Sequence, residues 1–417
     1  MTTVNPAPQT AQRAPASLLV TDRELLQRVL GSGGDALRQC VQCATCSGVC
    51  ALAAELAPLP RKEMLWAQWG LKDRLMADAD LWLCHECHDC TRRCPRNARP
   101  GDVMAALRRE CIAHYSSPHF LGRAATEPAQ LPWVVLGCAL LLGSGMWLWD
   151  ATGAGARELA ARGARIVMPL SPQLPHGLLV ALFGTVALFD CIVFAVGLHR
   201  FWYALTAAYC HAPTETQAAP ETSPIGVVLR RLFWHHDFAR CTQEAPRRAS
   251  HTIVVYSMLA LGVVDLWVLT ARFNPLRSGL AYPLGITDPW KLLANLAGVA
   301  LIAGCVLMTR DRMRRRLATA EAGARSTGTY SDWLLLGLLL AVALTGFVTE
   351  ALHFMRVDEL RVWAYLVHLV TVLTFFVLLP YSKLAHVAYR TVALIAAERQ
   401  GLRRPIVALA LDDTRAP

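Results

Sequence analysis

The chain has 417 residues, of which 54% are hydrophobic and only 17% charged, and its formal net charge is +10. That balance is too apolar for an ordinary soluble protein and points to a membrane-embedded portion. The positive excess would suggest nucleic acid in a soluble protein, but arginine in membrane loops accounts for it below, so no nucleic-acid partner is expected.

Residues 1–22 are rich in Pro, Ala, Thr and Gln and are expected to be disordered. They show no charged stretch followed by an apolar one, so no cleavable signal is expected. The cysteine-rich part is therefore placed in the reducing cytosol, where clustered cysteines bind metal or do redox chemistry. A helix starts at TDRELLQRVL, with Thr21 or Asp22 as N-cap. Residues 23–118 form a cysteine-rich domain, and 119–131 a polar linker. Within the domain, the stretch between the cysteine sets has apolar positions at helical spacing, with Pro60 placed to start a helix. A further helix is expected over RPGDVMAALRREC, with Asp102 as N-cap. The expected fold is all-α: a helical cysteine-rich domain, then a six-helix transmembrane bundle.

Six apolar runs follow, near 132–149, 177–199, 252–271, 290–308, 333–352 and 363–381. Each is long enough to cross a hydrocarbon core of roughly 30 Å. The transmembrane domain covers 132–390 and a tail 391–417. Arginines crowd the loops 200–250 and 309–332 and the tail, and are sparser in the intervening loops. The bias predicts a multi-pass protein of the cytoplasmic (inner) membrane, with the cysteine domain and both termini in the cytoplasm.

Two cysteine sets share the spacing C-x2-C-x2-C-x3-C: Cys40, Cys43, Cys46 and Cys50 in CVQCATCSGVC, and Cys84, Cys87, Cys90 and Cys94 in CHECHDCTRRCP. Three closely spaced cysteines wrap one corner of a cubane, and in two-cluster ferredoxins the fourth ligates the other cluster. That rule assigns Cys40, Cys43, Cys46 and Cys94 to one [4Fe–4S] cluster, and Cys84, Cys87, Cys90 and Cys50 to the other. Zinc is the alternative, but a third cysteine at the same spacing is surplus to it. His85 and His88 read as residues around the ligands, and Cys111 as a plain helix residue.

Ionisable residues inside a membrane are costly and mark function. Asp190 and Asp265 fall within spans, and His176, His199, His251, His353, His368 and His386 fall in the spans or at their edges. On one continuous helix His368 and His386 would share a face about 27 Å apart, as ligands to haems at two depths require. His251 is a partner for His386, and His353 or His176 for His368, so one or two haem b groups are expected. No glycine fingerprint for nucleotides is present, which places any flavin on partner subunits. A quinone pocket beside the haem is expected, with Lys383 and Arg390 as polar contacts or interfacial anchors.

Residues 36–112, and LWLCHECHDCTRRCP above all, resemble the iron–sulfur C subunit of heterodisulfide reductases. The membrane half resembles the cytochrome b (gamma) subunit of respiratory nitrate reductases, through LLPYSKLAH after the histidine-bearing sixth span. It departs from that family on the third span, where His251 stands alone. The fused layout, and HHDFARCTQEAPRRASHTIVVYS, are similar to the C subunits of quinone-interacting membrane-bound oxidoreductase (Qmo) complexes. The resemblance implies electron exchange with menaquinone or ubiquinone, and flavin and iron–sulfur partner subunits linked to adenylylsulfate reductase. The catalytic residues are not assigned. A heterodisulfide-reductase-like or sulfite-reductase-linked complex is an alternative, as is a haem-free membrane anchor.

Overall fold

The computed structural model describes residues 20–53, 58–153, 176–209, 224–234, 245–273, 284–321 and 329–399. The expected disorder before residue 20, the tail beyond 399, the segment 235–244 and the side chain of His176 lie outside them. The described residues form helices and no strand.

The first domain is built from short helices around one long one. They are α1 (Arg23–Val29), α2 (Thr45–Gly48), α3 (Arg61–Gln68), α4 (Lys72–Met76), α5 (Asp80–Leu83), α6 (Asp89–Arg92), α7 (Pro100–Tyr115) and α8 (His119–Ala124). Asp22 caps α1, its carboxylate accepting from Leu25 N at 2.8 Å. In α7 the buried positions Val103, Met104, Leu107, Cys111, Ile112 and Tyr115 recur at helical spacing, so one face makes the core. Asp102 is not its N-cap. The helix starts at Pro100, behind Arg99 in a left-handed conformation, and Asp102 lies in the first turn. Proline at the first position explains the shift, since its fixed φ suits a helix start. Beneath the second cysteine loop, Lys62 Nζ lies 3.3 Å from Glu63, 3.2 Å from Asp78 and 3.0 Å from Asp80. The three acids are buried, and burial pushes the Glu63 carboxyl well above its ordinary value.

Among the described residues, six helices are long and apolar enough to cross a membrane. They belong to α9 (Leu131–Ala151), α10 (His176–Tyr209), α12 (Ala245–Phe273), α13 (Pro289–Glu321), α14 (Tyr330–Phe354) and α15 (Asp358–Leu378), with α11 (Pro224–Trp234) before α12 and α16 (His386–Arg399) after α15. α12 packs on α13, α14 on α15, and α9 and α10 on α15. Gly304 lets α13 approach α12 closely, because a Cβ there would stand 2.7 Å from a Val254 methyl.

The sixth span does not run on to His386. Two 3-10 turns, Leu379–Tyr381 and Lys383–Ala385, flank Ser382, which is extended. Pro380 lacks the N–H an α-helix would use and sits in the first turn. His386 therefore opens a new helix, and the shared-face argument for His368 and His386 does not hold.

The domain and the bundle share one core. Leu37, Met64, Leu81, Trp82 and Leu107 belong to the same buried cluster as Phe201, Val228, Tyr389 and Leu394. Trp82 stacks on Tyr389 with centroids 5.2 Å apart. Gly197 admits this contact, since a Cβ there would meet the Tyr389 hydroxyl at 2.8 Å.

Candidate electron-transfer site

Cys40, Cys43, Cys46 and Cys94 line one small pocket, with Arg61 and Arg96 at its edge. Cys50 sits instead with the second set. Burial, then the charges of Cys84 and Cys87, push its thiol up to about 12. Burial, then Cys84, Cys87 and Cys50, likewise raise Cys90, and Cys46 contributes, so the two sets are neighbours. Such thiols ionise together only around a strongly cationic centre.

The spacing of the sulfurs bears on which centre. Four thiolates on one zinc stand about 3.8 Å apart, from Zn–S bonds near 2.3 Å. Among the described residues, the group of three ligand atoms gathered within 4.8 Å is Glu63, Asp78 and Asp80, and no cysteine set is so tight. A cubane binds each thiolate on a different iron, and Cys40, Cys43, Cys46 and Cys94 converge on one pocket as such ligands must. The three acids are already spanned by the Lys62 ammonium.

The second cysteine loop rests on the membrane bundle. Arg390 donates to Cys84 O at 3.4 Å and to His85 Nδ1 at 3.0 Å, so His85 is an acceptor. Arg108 also donates to Cys84 O, and to Leu81 O at 2.6 Å. Glu86 pairs with Lys383 and Arg108, each at 3.3 Å, while Lys383 reaches Asp332 at 2.8 Å. Lys383 and Arg390 thus tie the cysteine loop to the bundle, and both also line the cavity beside it. Sequence reasoning placed them near the histidine and missed this role. The signal was only their spacing around His386, at 383 and 390.

Beside this contact is a cavity of about 360 Å³. His251 and His386 both line it. Val254, Met258, Leu335 and Leu339 form an apolar side, and Arg312 and Arg316 stand at a cationic edge. His386 Nδ1 lies 2.6 Å from Lys383 O, which can only accept, so Nδ1 carries the proton and Nε2 the lone pair. Burial pushes His386 down to about 4, against the raising effect of that hydrogen bond, and keeps it neutral. A neutral imidazole with its Nδ1–H held by a carbonyl is the form that ligates metal through Nε2.

His368 is elsewhere, between α14 and α15. Thr345 Oγ1 lies 2.9 Å from His368 Nδ1, at hydrogen-bond distance. Gly346 lies beside its ring. His353 is two turns along α14 from Gly346, about 10 Å by helical rise. Its Nδ1 is buried without a hydrogen-bond partner among the described residues. The structure brings His251 and His386 to one cavity; neither His368 nor His353 lines it.

Residues 36–98 match the family model of the 4Fe-4S dicluster domain. The same region is 37% identical over 89 residues to the C subunit of the H(2):CoB-CoM heterodisulfide,ferredoxin reductase of Methanothermobacter marburgensis, covering 21% of this chain and 48% of that one. It is 36% identical over 85 residues to a protein of Archaeoglobus profundus that is itself like the C subunit of heterodisulfide reductase, covering 20% and 45%. The chain thus spans about half the length of these relatives. A third likeness runs nearly end to end: citrate utilization protein B of Escherichia coli is 24% identical over 383 residues, 86% of this chain and 89% of that protein. No solved structure matches. The chain carries an N-terminal 4Fe-4S dicluster domain similar to the C subunit of heterodisulfide reductase, and its relatives of that kind are oxidoreductase subunits.

Proposed function

We propose that the chain is the membrane electron-transfer subunit of a quinone-linked oxidoreductase, exchanging electrons between menaquinone or ubiquinone and cytoplasmic flavin and iron–sulfur partners. One observation carries this reading: the cavity lined by His251 and His386 abuts the second cysteine loop, and Arg390 ties that loop to the helix bearing His386. The eight cysteines would hold two [4Fe–4S] clusters, Cys40, Cys43, Cys46 and Cys94 the first, and Cys50, Cys84, Cys87 and Cys90 the second. His251 and His386 would hold one haem b. These groups supply one-electron redox chemistry when bound.

The rest falls to the chain. Lys383 O orients the His386 imidazole. Arg312 and Arg316 are one turn apart on α13 and both line the cavity, Arg312 beside Asp332 and Trp333, which suits the pair to the haem carboxylates. The apolar side excludes water, and the shared core keeps the domain seated.

Two readings differ in the soluble partner. The fused layout and the heterodisulfide-reductase-like domain favour sulfur metabolism, with adenylylsulfate reductase reached through flavin and iron–sulfur subunits. The end-to-end likeness to citrate utilization protein B favours citrate utilization. Adding adenylylsulfate reductase substrates or citrate to membranes, and watching which reduces or oxidises the haem, separates them.

The test of the common core is a dithionite-reduced minus oxidised spectrum of the purified chain, with a haem-to-protein ratio. We expect a b-type spectrum at one haem per chain, lost in His251→Ala and His386→Ala with both clusters retained. Cluster-bearing protein with no b-type spectrum would leave a haem-free anchor. Two haems would add His368 to the ligands.

A further inference from the structure

The two cysteine sets differ in what surrounds them. The second loop is covered by Arg390, Lys383 and Arg108. The pocket of the first set is lined only by residues from Cys40 to Pro100, and Cys43 on it is exposed. Around that pocket the surface has a distinct chemistry. Gln68 Nε2 donates to Cys40 O at 2.8 Å, and Gln42 Nε2 to Gln68 Oε1 at 3.1 Å. These bonds hold the Val41 loop against the end of α3, where Trp69 is exposed. Val41 is 59% and Trp69 54% accessible. Arg38, Arg61, Arg93 and Arg96 are exposed nearby, and none forms an ion pair with a described residue. The neighbouring acids are taken, Asp89 by Arg92 at 3.3 Å and Asp35 by Arg99.

An exposed aromatic amid unpaired arginines has the composition of a protein-binding hot spot. We propose that this face is the docking surface for a soluble redox protein whose own cofactor is rimmed by acidic residues. Membrane lipid is a poor occupant, because the domain seats on the bundle through the second cysteine loop, and no bundle residue lines the pocket of the first. The inference rests on the electron-transfer reading and adds where the soluble partner binds and with what charge.

The test uses the full chain in nanodiscs and two protein probes of opposite charge, a reduced flavodoxin (acidic) as donor and an oxidised c-type cytochrome (basic) as acceptor. The variant is Arg38→Glu/Arg93→Glu, since neither residue lines the pocket, with cluster content checked by EPR. At low ionic strength the flavodoxin rate should fall about tenfold or more, and its salt dependence should flatten. The cytochrome rate should rise. Unchanged rates, or both moving the same way by the same factor, would overturn the proposal. Failure of the wider reading looks different: haem absent, or unreduced when dithionite has reduced the clusters, whatever the salt dependence.

Discussion

His386 and Asp102 line the same cavity and respond to burial in opposite ways. A buried imidazole becomes the neutral, ligating form, so burial serves it. A buried carboxyl becomes the acid, and burial pushes Asp102 up to about 7, with Arg99 opposing and Glu86 and Asp35 adding to the rise. The fold then binds a proton that the unfolded chain releases near its ordinary value of 3.8. Between about pH 4 and pH 7 the native state holds more protons, so stability falls as pH rises through that window. The loss is at most about 4 kcal/mol, from roughly three pKa units. Asp102→Asn should abolish it: thermal midpoints of wild type and variant converge near pH 4, and the variant is the more stable at pH 8. Parallel pH profiles would show that Asp102 ionises freely.

At the scale of elements, the break after the sixth span decides which histidines cooperate. Pro380 ends α15, and α16 starts afresh at His386, which is how the histidine comes to lie under the cysteine domain. His368 stays within the bundle, where Gly346 leaves room for its ring. A Cβ at 346 would be 3.3 Å from His368 Cε1, whereas one at Gly337 on the same helix meets nothing within 4 Å. Gly346→Leu should therefore displace the ring, break its bond to Thr345 and cost about 1–3 kcal/mol. Gly337→Leu, which faces open space, is the control. A thermal midpoint lowered equally by both would show that the space beside His368 is not special.

For the whole molecule, the seam between domain and bundle matters most. It combines a continuous apolar core with a polar clasp in which Lys383 bridges Glu86 and Asp332. Both partners of the Glu86–Lys383 pair are largely buried, so the pair should be coupled where an exposed pair would not be. In a double-mutant cycle of Glu86→Ala and Lys383→Ala, we expect a coupling of about 0.5–3 kcal/mol. Hydrogen exchange at residues 84–90 should rise in either single variant. Strict additivity, with exchange unaltered, would mean the apolar core alone seats the domain.

What could be read from the chain beforehand was local. The repeated cysteine spacing identified a two-cluster domain, and six apolar runs identified the spanning helices, because ligand spacing and span length are properties of short contiguous segments. The Asp22 cap was legible for the same reason. The start of α7 was misplaced at Asp102, since the proline before it changes which residue caps. The cluster rule had already grouped Cys50 with the second set, and His251 had already been paired with His386; only the tertiary structure set His368 and His386 on separate helices and tied Lys383 and Arg390 to the second cysteine loop. Those pairings join residues far apart in the chain, across a helix break that resets the phase. They depend on where whole helices pack, which no local pattern encodes.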